Sequence, residues 1–138
     1  MFQNRDEIRQ IYLTVWQKLQ QHKILEPMES VIADIIQLHP EYHALLDQGQ
    51  SVRDEEFNPE SGNSNPFLHM GIHIALREQT STDRPTGIQK IHQKLSNRLG
   101  QHEAEHSMIE CLGEALWIAQ RNNSMPDDNK YLECLKKL

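Results

Sequence analysis

A chain of 138 residues, 37% hydrophobic with a mean hydropathy of -0.71, is long enough to bury one core as a single domain, 1–138, and is expected to be soluble. No apolar run approaches the ~20 residues that a bilayer-spanning helix needs. A net charge of -6 argues against a nucleic-acid binder, which normally carries a basic stripe.

The opening Met-Phe-Gln-Asn-Arg-Asp-Glu lacks the basic-then-apolar layout of an export signal, so a cytoplasmic protein is expected. Asn4 and Glu7 then form a capping pair. Behind them Ile8, Ile11, Tyr12, Val15, Trp16 and Leu19 make one apolar stripe at helical spacing. Pro27 starts a second helix, with Met28, Val31, Ile32, Ile35 and Ile36 inward.

Pro40 has no amide hydrogen to donate, so that helix ends or bends there. His39 reads as an N-cap-like residue and Pro40 as the first position of a short helix ending at Gly49. On this parse His39 and His43 do not share a regular face. Residues 49–65, with Gly49, Pro59, Gly62 and Asn65, read as a polar surface loop.

Asn65-Pro66 opens a helix over 66–79, apolar on nearly every side and therefore central to the core. Asp83 and Pro85 begin the next, with Ile88, Ile91, Leu95 and Leu99 on one stripe, stopped by Gly100. A long helix follows over 101–121. Its apolar face carries Ile109, Leu112, Ala115, Leu116 and Ala119, with Glu105 inside the apolar sector. His102, His106 and Gly113 border that face, and Glu110 and Trp117 fall just beyond it. Trp117, Met108 and Met70 read as packing residues. Ser124 and Pro126 start a last helix bearing Tyr131, Leu132 and Leu135. No alternating strand pattern occurs, so the fold class is all-α, a single-domain helical bundle of five to seven helices.

Cys111 and Cys134 are too few for a disulfide framework and show no Cys-x-x-Cys spacing. They read as reduced, small hydrophobes. The histidines are the anomaly. Chance placement of eight would give about 0.5 pairs at spacing four, whereas three occur: His39/His43, His69/His73 and His102/His106. His22 and His92 have no neighbour at ligand spacing and read as surface residues.

Two histidines four apart on a helix stack one turn above the other, so both reach one metal ion. A pair from each of two helices supplies four nitrogens, and Glu110, four after His106, supplies an oxygen. The predicted ligands are thus His69, His73, His102, His106 and Glu110, with Glu105 as the outer acceptor that orients a ligating imidazole. Zinc suits an imidazole-rich site first, iron or nickel after it. Such a site supports hydrolytic or transfer chemistry if a coordination position stays open.

The contrasting reading needs no metal. In it the histidines form a polar core network with Glu105 or Glu110, and function lies on the surface of an interaction module. A third reading takes His102-Glu103-Ala104-Glu105-His106 as the zinc-peptidase motif, with Glu103 as the base that activates water. Against it stand the charge at Glu105, and Ile109 and Leu112 where the longer motif needs Gly and His. No strand is predicted to hold an extended substrate. A homodimer fits any of these readings; a membrane or nucleic-acid partner fits none.

Two stretches carry a resemblance: Asn65-Pro66-Phe67-Leu68-His69-Met70-Gly71-Ile72-His73-Ile74-Ala75-Leu76-Arg77-Glu78-Gln79, and His102 to His106 with Met108, Glu110, Cys111 and Leu112. Together with His39-Pro40-Glu41-Tyr42-His43 they closely resemble the bacterial family known as domain of unknown function 1841. That resemblance covers nearly the whole chain and implies a small cytoplasmic protein without an assigned activity. A looser likeness, at fold level only, is to DinB-like four-helix bundles. The ligand pairs also look somewhat like those of hemerythrin-type bundles in swapped order.

Overall fold

The all-α expectation holds through every residue described by the computed structural model, which are 5–55, 57 and 65–138. In chain order the helices are α1 (Arg5–Gln20), α2 (Pro27–Leu38), α3 (His43–Leu46), α4 (Gln50–Arg53), α5 (Pro66–Thr82), α6 (Ile88–Leu99), α7 (Gln101–Arg121) and α8 (Asp128–Lys136). A 3-10 turn over Pro40–Tyr42 joins α2 to α3. No strand occurs among the described residues. The eight helices among the described residues exceed the expected five to seven because the 40–54 stretch breaks into short pieces. Gly49, at φ +60, separates α3 from α4 inside the predicted loop. Asn4, Pro59 and Gly62 lie outside the described residues.

The chain divides into two compact units, residues 1–71 and 72–138, with the boundary inside α5. In the first unit α1 and α2 pack together through Tyr12, Val15, Ile32, Ile35 and Ile36, all buried. The predicted stripes are rotated slightly from the real ones. Leu13 and Arg9 are buried, while Ile8, Met28 and Val31 are exposed. Arg9 explains the rotation of α1. Its guanidinium donates to the carbonyls of Arg53 and Glu55, both at 2.8 Å, and lies over the rings of Phe57 and Phe67. An arginine so satisfied is buried where an unpaired one would not be. Glu29 reaches back to the Glu26 amide at 3.0 Å and takes Lys18 at 2.8 Å, which fixes the start of α2.

At the head of α5 the Asn65 carboxamide oxygen accepts from the amides of Phe67 and Leu68 (3.0 and 3.2 Å), with Pro66 at the first position. In the second unit α6, α7 and α8 pack on one another around Leu76, Leu95, Met108, Ile109, Leu112, Tyr131 and Leu135. Gly100, at φ +87, turns the chain from α6 into α7 without strain. Asp127 caps α8 by accepting from the amides of Asn129 and Lys130.

Two expectations for this unit are corrected. Cys111 and Cys134 are joined in a disulfide, their Cα atoms 5.9 Å apart, so the thiols are not reduced. Helical packing brings α8 back along α7, a proximity that 23 residues of sequence separation do not reveal. Leu116 and Trp117 are exposed, Trp117 by 58%, with the Arg121 guanidinium 5.2 Å from its ring. The apolar face of α7 therefore narrows after Leu112.

Candidate functional site

In the first unit the stripe Ile32, Ile35, Ile36 on α2 runs one step further, to His39, which is fully buried. Pro40 stops the helix there, and the His39 backbone serves both α2, through N–H to the Ile36 carbonyl, and the 3-10 turn. The His39 Nδ1–H donates to Glu41 Oε1 at 2.8 Å. In a neutral ring with its proton on Nδ1, Nε2 is the nitrogen that can act as acceptor or metal ligand. The ring of Tyr42 stacks on His39 at 5.3 Å, and the ring of His69 meets it edge-on at 5.0 Å. One ring nitrogen of His39 and one of His69 lie within 4.8 Å of each other. Burial, and then the charge of Glu41, pushes the Tyr42 hydroxyl above its ordinary pKa.

His43 goes elsewhere. Its Nε2–H donates to the Ile36 carbonyl at 2.9 Å and its ring packs on Trp16, whose indole N–H is held by Asp47. The first unit therefore pairs His69 with His39, a residue that spacing four assigned to His43. The signal was available in the inward stripe of α2, on which His39 stands four residues after Ile35.

The second unit is organised around Glu105, whose side chain is 2% exposed. Oε1 accepts from His73 Nε2 at 2.8 Å and from Arg77 Nε at 3.0 Å. Oε2 accepts from His92 Nε2 at 2.9 Å and from Gln101 Nε2 at 3.2 Å. Four donors fill the lone pairs of one carboxylate. Burial by itself would raise the Glu105 carboxyl, but the hydrogen bonds from His73, His92 and Gln101 and the charge of Arg77 outweigh it and hold the group at about 2. Glu105 is thus a buried, ionised centre bound by groups from α5, α6 and α7.

His92, expected at the surface, is corrected to a half-buried partner of this carboxylate. It stands four residues after Ile88 and three before Leu95, on the edge of the apolar stripe of α6, a position that spacing to other histidines does not register. On α7 the rings of His102 and His106 lie 4.6 Å apart, as a one-turn separation dictates. His106 is half-buried, whereas His102, Glu103 and Glu110 are exposed.

The sequence pattern of the family described as Domain of unknown function (DUF1841) matches residues 4–137. The chain belongs to this family. The match spans α1 through α8, so both histidine groups lie within the DUF1841 domain. No curated protein and no solved structure matches the chain.

Proposed function

We propose that this DUF1841 protein binds a divalent metal ion through histidine nitrogens, zinc before iron or nickel. The observation that carries this reading is buried His39, bonded at Nδ1 to the exposed Glu41 carboxylate and set beside His69. A carboxylate that takes one imidazole N–H and so turns the other nitrogen into a donor is the arrangement that metal-binding histidines use. Water would supply the remaining positions. An ion with an open position would activate bound water for hydrolysis or group transfer, whereas a closed one would act as a staple.

A second reading rests on a different observation. The Glu105 centre satisfies His73 and His92 by hydrogen bonds within the protein, which supports a metal-free interaction module with a polar histidine core. The peptidase reading rests on exposed Glu103 as base; Glu103→Gln would then abolish hydrolysis with zinc retained, and a parent protein without peptidase activity removes it.

Elemental analysis of protein purified without a histidine tag separates the first two readings. The metal reading expects about one ion per chain, and a chelator that strips it and lowers the melting temperature. Below roughly 0.1 ion per chain, with melting indifferent to chelator, the polar-core reading stands. No described helix is long and apolar enough to cross a membrane. A cytoplasmic location is the expectation from sequence, while the disulfide favours an oxidising compartment. Fractionation of the native cell decides between them.

A further inference from the structure

The Cys111–Cys134 bond stands in the wall of a cavity of about 120 Å³ on the seam between α7 and α8. Cys111, Glu114, Ala115 and Ile118 line it from one face of α7, and Lys130 and Cys134, one turn apart, line it from α8. Glu114, Ile118 and Lys130 are exposed, so the cavity meets solvent at its rim. The two cysteines are placed unequally. Cys111 is 3% exposed, inside the core cluster with Met108 and Leu112, whereas Cys134 is half-buried. A nucleophile that reaches this disulfide from solvent therefore meets Cys134 first. A second hollow of about 210 Å³ adjoins the first, sharing Ala115, Ile118 and Lys130 with it and extending past Asn122, Ser124 and Met125.

We infer that Cys134 is a thiol-exchange site: a small thiol of the cysteinyl class enters this cavity and is carried on Cys134 as a mixed disulfide, which Cys111 resolves. An incoming thiolate attacks the Cys134 sulfur. A bond forms between the two, the bond to Cys111 breaks, and its electron pair leaves on the Cys111 sulfur, which takes a proton from water. A second thiolate then attacks the small molecule's own sulfur, frees Cys134 as a thiol once protonated, and leaves as part of a small disulfide. Two electrons and two protons pass from two thiols to the protein, and an oxidised small disulfide drives the same steps in reverse. Size favours a small thiol. The first cavity has room for about four water molecules, enough for a sulfur on a slim arm, and the adjoining hollow takes the remainder of the molecule. The contacts of α8 that involve no sulfur, the Tyr131 hydroxyl to Gln79 at 2.7 Å and buried Leu135, keep Cys134 near Cys111 for the return reaction.

The test incubates the oxidised full chain with millimolar reduced glutathione under native conditions, quenches with acid and maps the cysteines by peptide mass. Early in the reaction glutathione is expected on Cys134 at least ~10-fold more often than on Cys111. The rate should rise in proportion to glutathione, and oxidised glutathione should restore the Cys111–Cys134 bond. Ile118→Trp, at an exposed position on the rim of both hollows, narrows the entry; it should keep the parent melting temperature and slow the reaction ~5-fold. Chain unfolded in urea is the positive control. Any of four results overturns the inference. Glutathione leaves the bond intact in the folded chain while cleaving it in the unfolded one, even where a protein dithiol of the Cys-x-x-Cys kind succeeds. Cys111 is labelled as often as Cys134. The rate stops rising with glutathione, because reaction then waits on unfolding. Folded Ile118→Trp reacts as fast as the parent.

Discussion

Glu105 concentrates the residue-scale physics of the second unit. Its carboxylate is buried yet held well below the ordinary carboxyl pKa by His73, His92, Gln101 and Arg77. A group whose folded pKa is depressed contributes stability that is complete above its unfolded pKa and is lost as pH falls through the folded one. With about 2 in the folded protein against 4.5 ordinarily, this contribution fades as the pH drops from about 4.5 to about 2, by roughly 3 kcal/mol in total. Glu105→Gln removes the charge while the Arg77 guanidinium and two imidazoles still face it. It should lower unfolding free energy at pH 7 by about 2–4 kcal/mol and flatten the loss below pH 4.5. Urea denaturation of parent and variant at several pH values reads both effects; equal stability at pH 7 would refute the role given to this carboxylate. The sequence placed Glu105 inward because it falls in the apolar sector of α7. Its partner His92 was less legible, because only the three-dimensional packing of α6 on α7 says which edge of a stripe meets a neighbour.

At the scale of elements, local chemistry carried the prediction well wherever a boundary has its own signal. Pro27, Asn65-Pro66 and Gly100 start or stop helices close to where the sequence puts them. It failed where the answer lies in contacts between distant segments. The short α4, pinned by Arg9 through the Arg53 and Glu55 carbonyls, replaces part of an expected loop. The Cys111–Cys134 bond was invisible for the same reason. That bond closes a loop across 23 positions and should contribute about 3 kcal/mol by restricting the unfolded chain. Reduction, or the double substitution Cys111→Ala/Cys134→Ala, should lower the urea midpoint accordingly. It should also make the amides of α8 exchange before those of α7, since Tyr131–Gln79 and the burial of Leu135 are left as its main anchors. A reducing agent without effect on the midpoint would show that α8 is held by packing alone.

For the molecule as a whole, membership of DUF1841 supplies a boundary and no mechanism, so the functional account rests on the side chains themselves. The sequence pointed to histidines at metal-ligand spacing and to His69 among them. It set His39 aside because Pro40 breaks the helix between His39 and His43. The same break leaves His39 as the buried C-cap of α2, with Glu41 on its Nδ1 and His69 at its edge. Spacing along one helix does not register a pair in ring contact, assembled from α5 and the end of α2. The central claim is that this pair donates to a metal ion. Isothermal titration of zinc into chelator-stripped protein tests it most directly, with the parent compared to His39→Ala, His69→Ala and Glu41→Gln. One site per chain in the parent, abolished or weakened beyond ~100-fold in the histidine variants and weakened by ~10-fold in Glu41→Gln, is the predicted result. Parent-like zinc binding in both histidine variants, or no zinc binding in the parent, would contradict it.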